Sequence, residues 1–324
     1  MLDFDKGKER LNNYLGAEKK TTVLYEDEIY MLKYPDPIRG SKLKGELSYK
    51  NNQFSEYVGC KIFKFCGFIT QDTALGYFTD RSGKRKIVVG CKDFTQHGGE
   101  FFEMKKLGNQ TAVDGVGGKI KASIEDVYDI INESPLIKNK HEIIAGFWDM
   151  FVVDALIGNG DRHLGNWGLM VNNDTISLAP IYDCGSSLEA LLSDDAMKDL
   201  LERPQIFTNT SRNQTSCYSL NGKRIFNIEI FKKPPADLAN AILRIVPKID
   251  IDKINGIIEA TPIMSDIRKE YLKKSVTLRY EEILAPALKR ISKQEQKQHV
   301  PHQNAIYQVQ VYEQGNTPMQ GLSR

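Results

Sequence analysis

The stretch Asp154-Ala-Leu-Ile-Gly158-Asn-Gly-Asp161-Arg-His163-Leu-Gly-Asn166-Trp-Gly168 decides how this chain is read. Before it, Ile143, Ile144, Phe147, Phe151 and Ala155 recur at helical spacing, and the pattern stops at Gly158. A buried helix is therefore expected to end where the polar residues begin. Asp161 and Asn166 then stand five positions apart. Two short β-like runs follow, residues 167–171 and 175–178, joined by Asn172-Asn-Asp174, and the second leads into Ile181-Tyr-Asp183-Cys-Gly185. Such a hairpin returns Asp183 to the side of Asn166.

Phosphoryl transfer calls for these residue types: a carboxylate to orient the attacking hydroxyl and take its proton, and oxygen ligands for magnesium on the nucleotide phosphates. Asp161 suits the first role, and Asn166 and Asp183 the second. An isolated Asp-x4-Asn carries little weight, because acids and amides commonly cap turns. The ordered set of apolar helix, Asp-x4-Asn, hairpin and Asp-x-Gly carries much more.

Working outward toward the N-terminus, residues 23–25 and 29–33 flank the acidic turn Glu26-Asp27-Glu28 as a predicted hairpin. Phe54, Val58, Ile62 and Phe65 predict a helix with Asn52 as its cap and Gly67 as its stop. Residues 76–79 and 86–89 predict a second hairpin through Asp80-Arg-Ser-Gly83. Lys33 ends a strand from which it can reach nucleotide phosphates. Glu56, on the next element, can pair with its ammonium, whereas Glu100 and Glu103 come too late in the chain. Gly16 permits close backbone approach, and Lys19 or Lys20 can touch phosphate.

Beyond this β-rich part, residues 95–121 read as a glycine-rich connection. Gly115-Val-Gly-Gly118-Lys119 imitates the end of a P-loop, but Val113 and Ile120 occupy its other required positions. Residues 186–225 read as a polar stretch. Helical periodicity returns from Ala236 to about Ser292, with stripes at Ile254, Ile257 and Ile258 and at Ile267, Tyr271 and Leu278. The expected class is α+β, with a small β-rich lobe over residues 1–94, a helical lobe over 95–291 and a polar, mobile tail over 292–324. Within the tail, Tyr307-Gln-Val309-Gln-Val311 alternates like an edge strand. Trp148 and Trp167 are expected in the core and Cys184 as a packed small residue. His163 would orient the loop or approach the transferred phosphate.

The 324 residues carry 44 basic and 42 acidic side chains, a net charge of only +2, which excludes a polyelectrolyte binder of nucleic acid. Five cysteines without C-x-x-C spacing exclude a zinc ribbon or a disulfide scaffold, and the five histidines form no H-E-x-x-H. No run of 18 apolar residues and no signal peptide is visible, so no membrane span and a cytoplasmic location are expected.

At the residues already quoted, the chain resembles the HipA-like serine/threonine kinases. Residues 155–166 resemble their catalytic loop, Ile181-Tyr-Asp183 their metal-binding segment, Gly16-Ala17-Glu-Lys19-Lys20-Thr21 their phosphate loop and Met31-Leu-Lys33-Tyr-Pro35 their lysine strand. The resemblance spans about Gly16 to Leu284. It implies a bilobal kinase fold, ATP with Mg2+ and a protein Ser or Thr acceptor, and it implies that Cys91-Lys92-Asp93 is the hinge facing the adenine. The family also implies an antitoxin-type partner. The chain starts almost at the phosphate loop, without the extra N-terminal subdomain of full-length members, which tells against one.

Asp161-Arg-His163-x-x-Asn166 with Asp183-x-Gly185 also matches the phosphoinositide kinases, so a lipid acceptor stands as the alternative. A nucleotide-binding pseudokinase acting as an interaction module is a third reading, opposed by the full set of catalytic side chains. Autophosphorylation is expected among Ser186, Ser187, Thr208, Ser211, Ser216 and Ser219, or at Thr21 and Thr22 beside the phosphate loop.

Overall fold

The structure, a computed structural model, describes residues 1–11, 20–35, 51–96, 98–108, 122–173 and 175–296. Two short strands, β1 (Leu2–Asp3) and β2 (Lys8–Arg10), precede the expected hairpin of β3 (Lys20–Tyr25) and β4 (Glu28–Lys33). Glu26 and Asp27 both take positive φ, 49° and 62°, the two-residue turn whose twist matches the strands it joins. After α1 (Asn52–Phe65) come β5 (Thr73–Thr79) and β6 (Arg85–Lys92), both longer than their predicted cores. The six strands form one sheet in the order β1-β5-β6-β4-β3-β2, in which β1 runs parallel to β5 and the remaining pairs are antiparallel.

Alternation along β6 divides the small lobe into two apolar layers. Val88 joins Phe4, Val23, Leu32, Tyr34 and Phe78 on one face. Val89 and Cys91 join Leu75 and the α1 residues Phe54, Val58, Ile62 and Phe63 on the other, which continues into the core of the larger lobe. The helix cap is Asn51 rather than Asn52, and it makes no side-chain capping bond.

The segment expected to be a plain connection carries β7 (Glu100–Glu103) and the single turn α2 (Met104–Leu107). Its apolar Phe101 and Phe102 pair with Met170 and Leu169, so a tertiary partner overrides the weak local signal. The glycine-rich P-loop imitation lies outside the described residues. After α3 (Ile124–Glu133) comes the central helix α4 (Lys140–Ile157), buried along most of its length and closed by Gly158 at φ +66°. β8 (Gly168–Asn172) and β9 (Thr175–Leu178) form the expected hairpin and complete a three-stranded sheet with β7.

The polar stretch over residues 186–225 is folded. It contains α5 (Asp194–Leu201), α6 (Pro204–Arg212) and the hairpin β10 (Thr215–Leu220) with β11 (Lys223–Phe226). These helices bury narrow faces centred on Met197 and Phe207, which polar neighbours hide from a hydropathy reading. Next come α7 (Asn227–Lys232), α8 (Ala236–Ile245), α9 (Ile251–Glu259) and α10 (Asp266–Arg279); the last passes through a π turn at Tyr280–Leu284 into a helix over 285–296. α10 buries Arg268, Tyr271, Leu272, Ser275, Val276 and Arg279; of the predicted stripe, Tyr271 lies in this face, Leu278 is partly buried against the core and Ile267 is half-buried. Two arginines on the core side explain why hydropathy finds only part of that face. Tyr307 to Val311 lie outside the described residues, and among those described no helix is long and apolar enough to cross a membrane.

Candidate active site

Lys33 is the last residue of β4, in register with Lys20 on β3 and Val89 on β6. Glu56 sits on the face of α1 that packs toward the sheet, fully buried. Lys33 Nζ donates to Glu56 Oε2 and to Asp183 Oδ1, at 2.8 Å each. The second oxygen of Glu56, Oε1, accepts the backbone N–H of Cys184 at 3.1 Å. One carboxylate thus fixes both the lysine and the segment that carries Asp183.

Burial by itself pulls the Lys33 ammonium toward the neutral form, but Asp183 and Glu56 more than reverse this and raise its pKa well above the ordinary value. Burial likewise pushes the Asp183 carboxyl up, while Lys33, with Arg162 and Lys20 further off, outweighs it and lowers the pKa to about 2. Asp183 is therefore an anion near neutral pH. Its side chain remains 32% exposed, so part of the carboxylate is open to solvent. The residue takes φ +56°, a strained value for a side-chain-bearing residue that turns the chain sharply at this point.

The loop between α4 and β8 is organised by a buried ion pair that the residue pattern did not disclose. Asp154, inside the apolar end of α4, receives Arg162 Nε at 3.0 Å and Nη2 at 3.2 Å. Asn159 Nδ2 donates to the same carboxylate at 2.9 Å. Arg162 Nη1 donates to the carbonyls of Asn166 at 2.9 Å, Tyr182 and Asp183, and Nη2 donates to Cys184 Sγ at 3.3 Å. The guanidinium fork is thereby distributed over both segments that supply candidate metal ligands. The available signal was a single acid among Met150-Phe-Val-Val-Asp154-Ala-Leu-Ile157, since a charge placed there needs a buried partner.

Asp161 is exposed, with its backbone held at both ends: its N–H donates to Asn159 Oδ1 at 3.2 Å and its carbonyl accepts Asn166 Nδ2 at 2.8 Å. Using the amide NH2 in this way leaves Asn166 its oxygen, the atom a hard cation takes. His163 Nδ1 accepts the Gly165 N–H at 3.0 Å, a bond that shapes the loop. Cys184, Trp148 and Trp167 are buried as expected.

Gly16, Ala17 and Lys19 of the expected phosphate loop lie outside the described residues, and Lys20 begins β3 opposite Lys33. Cys91 is enclosed within the β6 ladder between Met31 and Thr73, and burial raises its thiol pKa. Lys92 pairs with Glu28 at 2.6 Å, and the Asp93 carboxylate accepts from the Thr95 N–H at 2.8 Å. The N–H groups of Lys92 and Asp93 go to Asp72 and Ile29.

A twisted small-lobe sheet with one helix, a larger helical lobe, and a lysine–glutamate pair facing an aspartate from the other lobe together define the kinase class of phosphotransferases. A family model described as the HipA-like C-terminal domain matches residues 14–235, and the chain belongs to that family. It is 37% identical over 295 residues to the serine/threonine-protein kinase CtkA of Helicobacter pylori strain J99, covering 88% of each chain. The crystal structure of a Helicobacter pylori proinflammatory kinase CtkA superposes with a TM-score of 0.79 and 34% identity, over 90% of this chain and 98% of that one. This chain is accordingly a kinase of the HipA-like family.

Proposed function

We propose that the chain transfers the γ-phosphoryl group of ATP, with Mg2+, to serine or threonine hydroxyls of a protein acceptor. The observation that carries this reading is the position of Lys33 Nζ, 2.8 Å from both Glu56 and Asp183. This is the site that holds a nucleotide's phosphates and its cation in kinases. The relation to CtkA, whose name is that of a serine/threonine kinase, supports the acceptor class.

The donor set fits the cation: one ionised carboxylate and one amide oxygen, with no nitrogen or sulfur ligand required, as expected for an ion that keeps waters and phosphate oxygens. When bound, Mg2+ neutralises phosphate charge. Asp183 and Asn166 would hold it, and Lys33, kept cationic by Glu56, would orient the phosphates. Asp161 orients the acceptor hydroxyl and takes its proton, and Arg162 holds the carbonyls of both ligand segments in place. The Cys91-Lys92-Asp93 segment would carry the adenine, through groups other than the N–H groups of Lys92 and Asp93, which the Asp72 and Ile29 carbonyls take. We place the lobe boundary between residues 94 and 95 and draw the acceptor from proteins rather than nucleic acid.

The test is incubation with γ-labelled ATP and MgCl2 in the presence of dephosphorylated casein or phosphatidylinositol vesicles. Phosphoserine or phosphothreonine on casein is the expected outcome. Label confined to the lipid would replace this reading with the lipid-kinase one, and ATP binding without transfer would favour a pseudokinase.

A further inference from the structure

Ser186 Oγ donates to Asp161 Oδ2 at 3.2 Å. Both side chains are exposed, so the contact is not forced by burial. It follows from two anchored backbones. On one side, Cys184 and Ser187 are fully buried, the Cys184 N–H is held by Glu56, and the Ser187 N–H donates to the Cys184 carbonyl at 3.0 Å. A Cβ on Gly185 would lie 3.2 Å from Glu56 Oε2, so the segment runs tightly beneath α1. On the other side, Asn159 and Asn166 pin Asp161. Ser186 thus places a hydroxyl where an acceptor must place its own, on the carboxylate that takes the proton.

Resting on the kinase reading above, we infer that Ser186 is an intramolecular phosphoryl acceptor whose modification closes the site to external acceptors. Ser186 Oγ attacks the γ-phosphorus of ATP. The Oγ–P bond forms as the bond to the β,γ-bridging oxygen breaks, its electron pair leaves with ADP, and the hydroxyl proton passes to Asp161 and then to solvent. The product carries about −1.5 to −2 charge. It stands against the Asp161 carboxylate and occupies the place an incoming hydroxyl needs.

Five of the other seven hydroxyls expected as targets are buried or already engaged, and among the described residues Thr208 and Ser219 make no hydrogen bond to Asp161. Ser187, Ser211 and Thr22 are buried. Thr21 Oγ1 accepts from Tyr34 at 2.8 Å, and Ser216 Oγ accepts the Tyr218 N–H at 3.1 Å.

The experiment uses the full chain, freed of phosphate by phosphatase, with ATP, MgCl2 and dephosphorylated casein. Phosphosite mapping should place one phosphate on Ser186. Its first-order rate constant should not change across a roughly hundred-fold range of enzyme concentration, and casein labelling should slow with the same time constant. Ser186→Ala should carry no phosphate at this position and keep a straight progress curve, and Ser186→Thr should restore both behaviours. Unmodified Ser186 in an enzyme that labels casein overturns the assignment and leaves the kinase reading standing. A rate proportional to enzyme concentration overturns the intramolecular step. Failure to label either protein overturns the kinase reading and the assignment with it.

Discussion

Lys33 Nζ bridges Glu56 Oε2 and Asp183 Oδ1, 2.8 Å from each, so a single ammonium satisfies one carboxylate from each lobe. Lys33→Met leaves Glu56 buried without its cation, which is expected to cost about 3–5 kcal/mol of stability, the usual penalty for breaking a buried pair. The double variant Lys33→Met with Glu56→Gln should recover much of that loss in chemical denaturation while remaining inactive. Recovery of activity with stability would remove Lys33 from phosphate binding.

Asp183 contributes a pH dependence whose sign is fixed by its lowered pKa. A carboxyl held at about 2, against an ordinary value of 3.8, gives stability that is fully present above the ordinary value and is lost as pH falls toward 2. The stability advantage of wild type over Asp183→Asn should therefore be flat from neutral pH down to about 4 and shrink below it. Urea titrations at a series of pH values check this, and an advantage that grows on acidification would contradict the assigned charge state.

Asp161→Asn should keep the fold and nucleotide affinity while lowering transfer by roughly 10²- to 10⁴-fold, the range for a lost general base. Asp161 is exposed and its backbone groups carry its structural bonds, while its side-chain contact from Ser186 can be kept by the amide oxygen, so the substitution touches little else. Nucleotide titration followed by fluorescence, alongside turnover, separates the two effects.

Arg162→Lys should lower activity and raise the Mg2+ concentration needed for half-maximal rate, because an ammonium cannot span Asp154 and the carbonyls of Asn166, Tyr182 and Asp183 together. An unchanged magnesium titration would show that the carbonyl contacts do not position the ligands.

Gly59→Ala probes the seam between α1 and the Asp183 segment. A Cβ there would lie 2.7 Å from Cys184 Cβ. The usual gain of about 1 kcal/mol from replacing a helical glycine should therefore be absent, and kcat should fall as Glu56 shifts. Thermal denaturation with kinetics on the same variant checks both.

The parts legible in advance were those whose signals are local. The acidic turn Glu26-Asp27-Glu28 between β-branched and aromatic runs specifies the first hairpin, and helical spacing specifies α1 and α4. The pairing of Lys33 with Glu56 followed from their order on adjacent elements. What escaped was set at long range. β1 is two residues long and exists because Leu2 and Asp3 meet Gly76 and Tyr77, some seventy positions later. Arg162 was visible as a letter of the motif, but its partner Asp154 lies a helix turn before Gly158 and its other partners are backbone carbonyls, which no side-chain pattern encodes. Arg268 and Arg279 have no place in an apolar stripe, yet they are buried against Asp194 and Glu189.

Ile181 is stitched to the small-lobe segment behind α1: its N–H donates to the Ile69 carbonyl and its own carbonyl accepts the Gln71 N–H, both at 2.9 Å. With Cys184 tied to Glu56, this short ladder acts as a spine along which the helix and the aspartate move as one piece. Any motion of the lobes that kept these bonds would leave the charge-bearing triad intact. Control by an outward swing of the helix, one way in which kinases are silenced, would have to tear that spine. The rim near Asp161, where Ser186 reaches the carboxylate, is a less costly place to govern the enzyme.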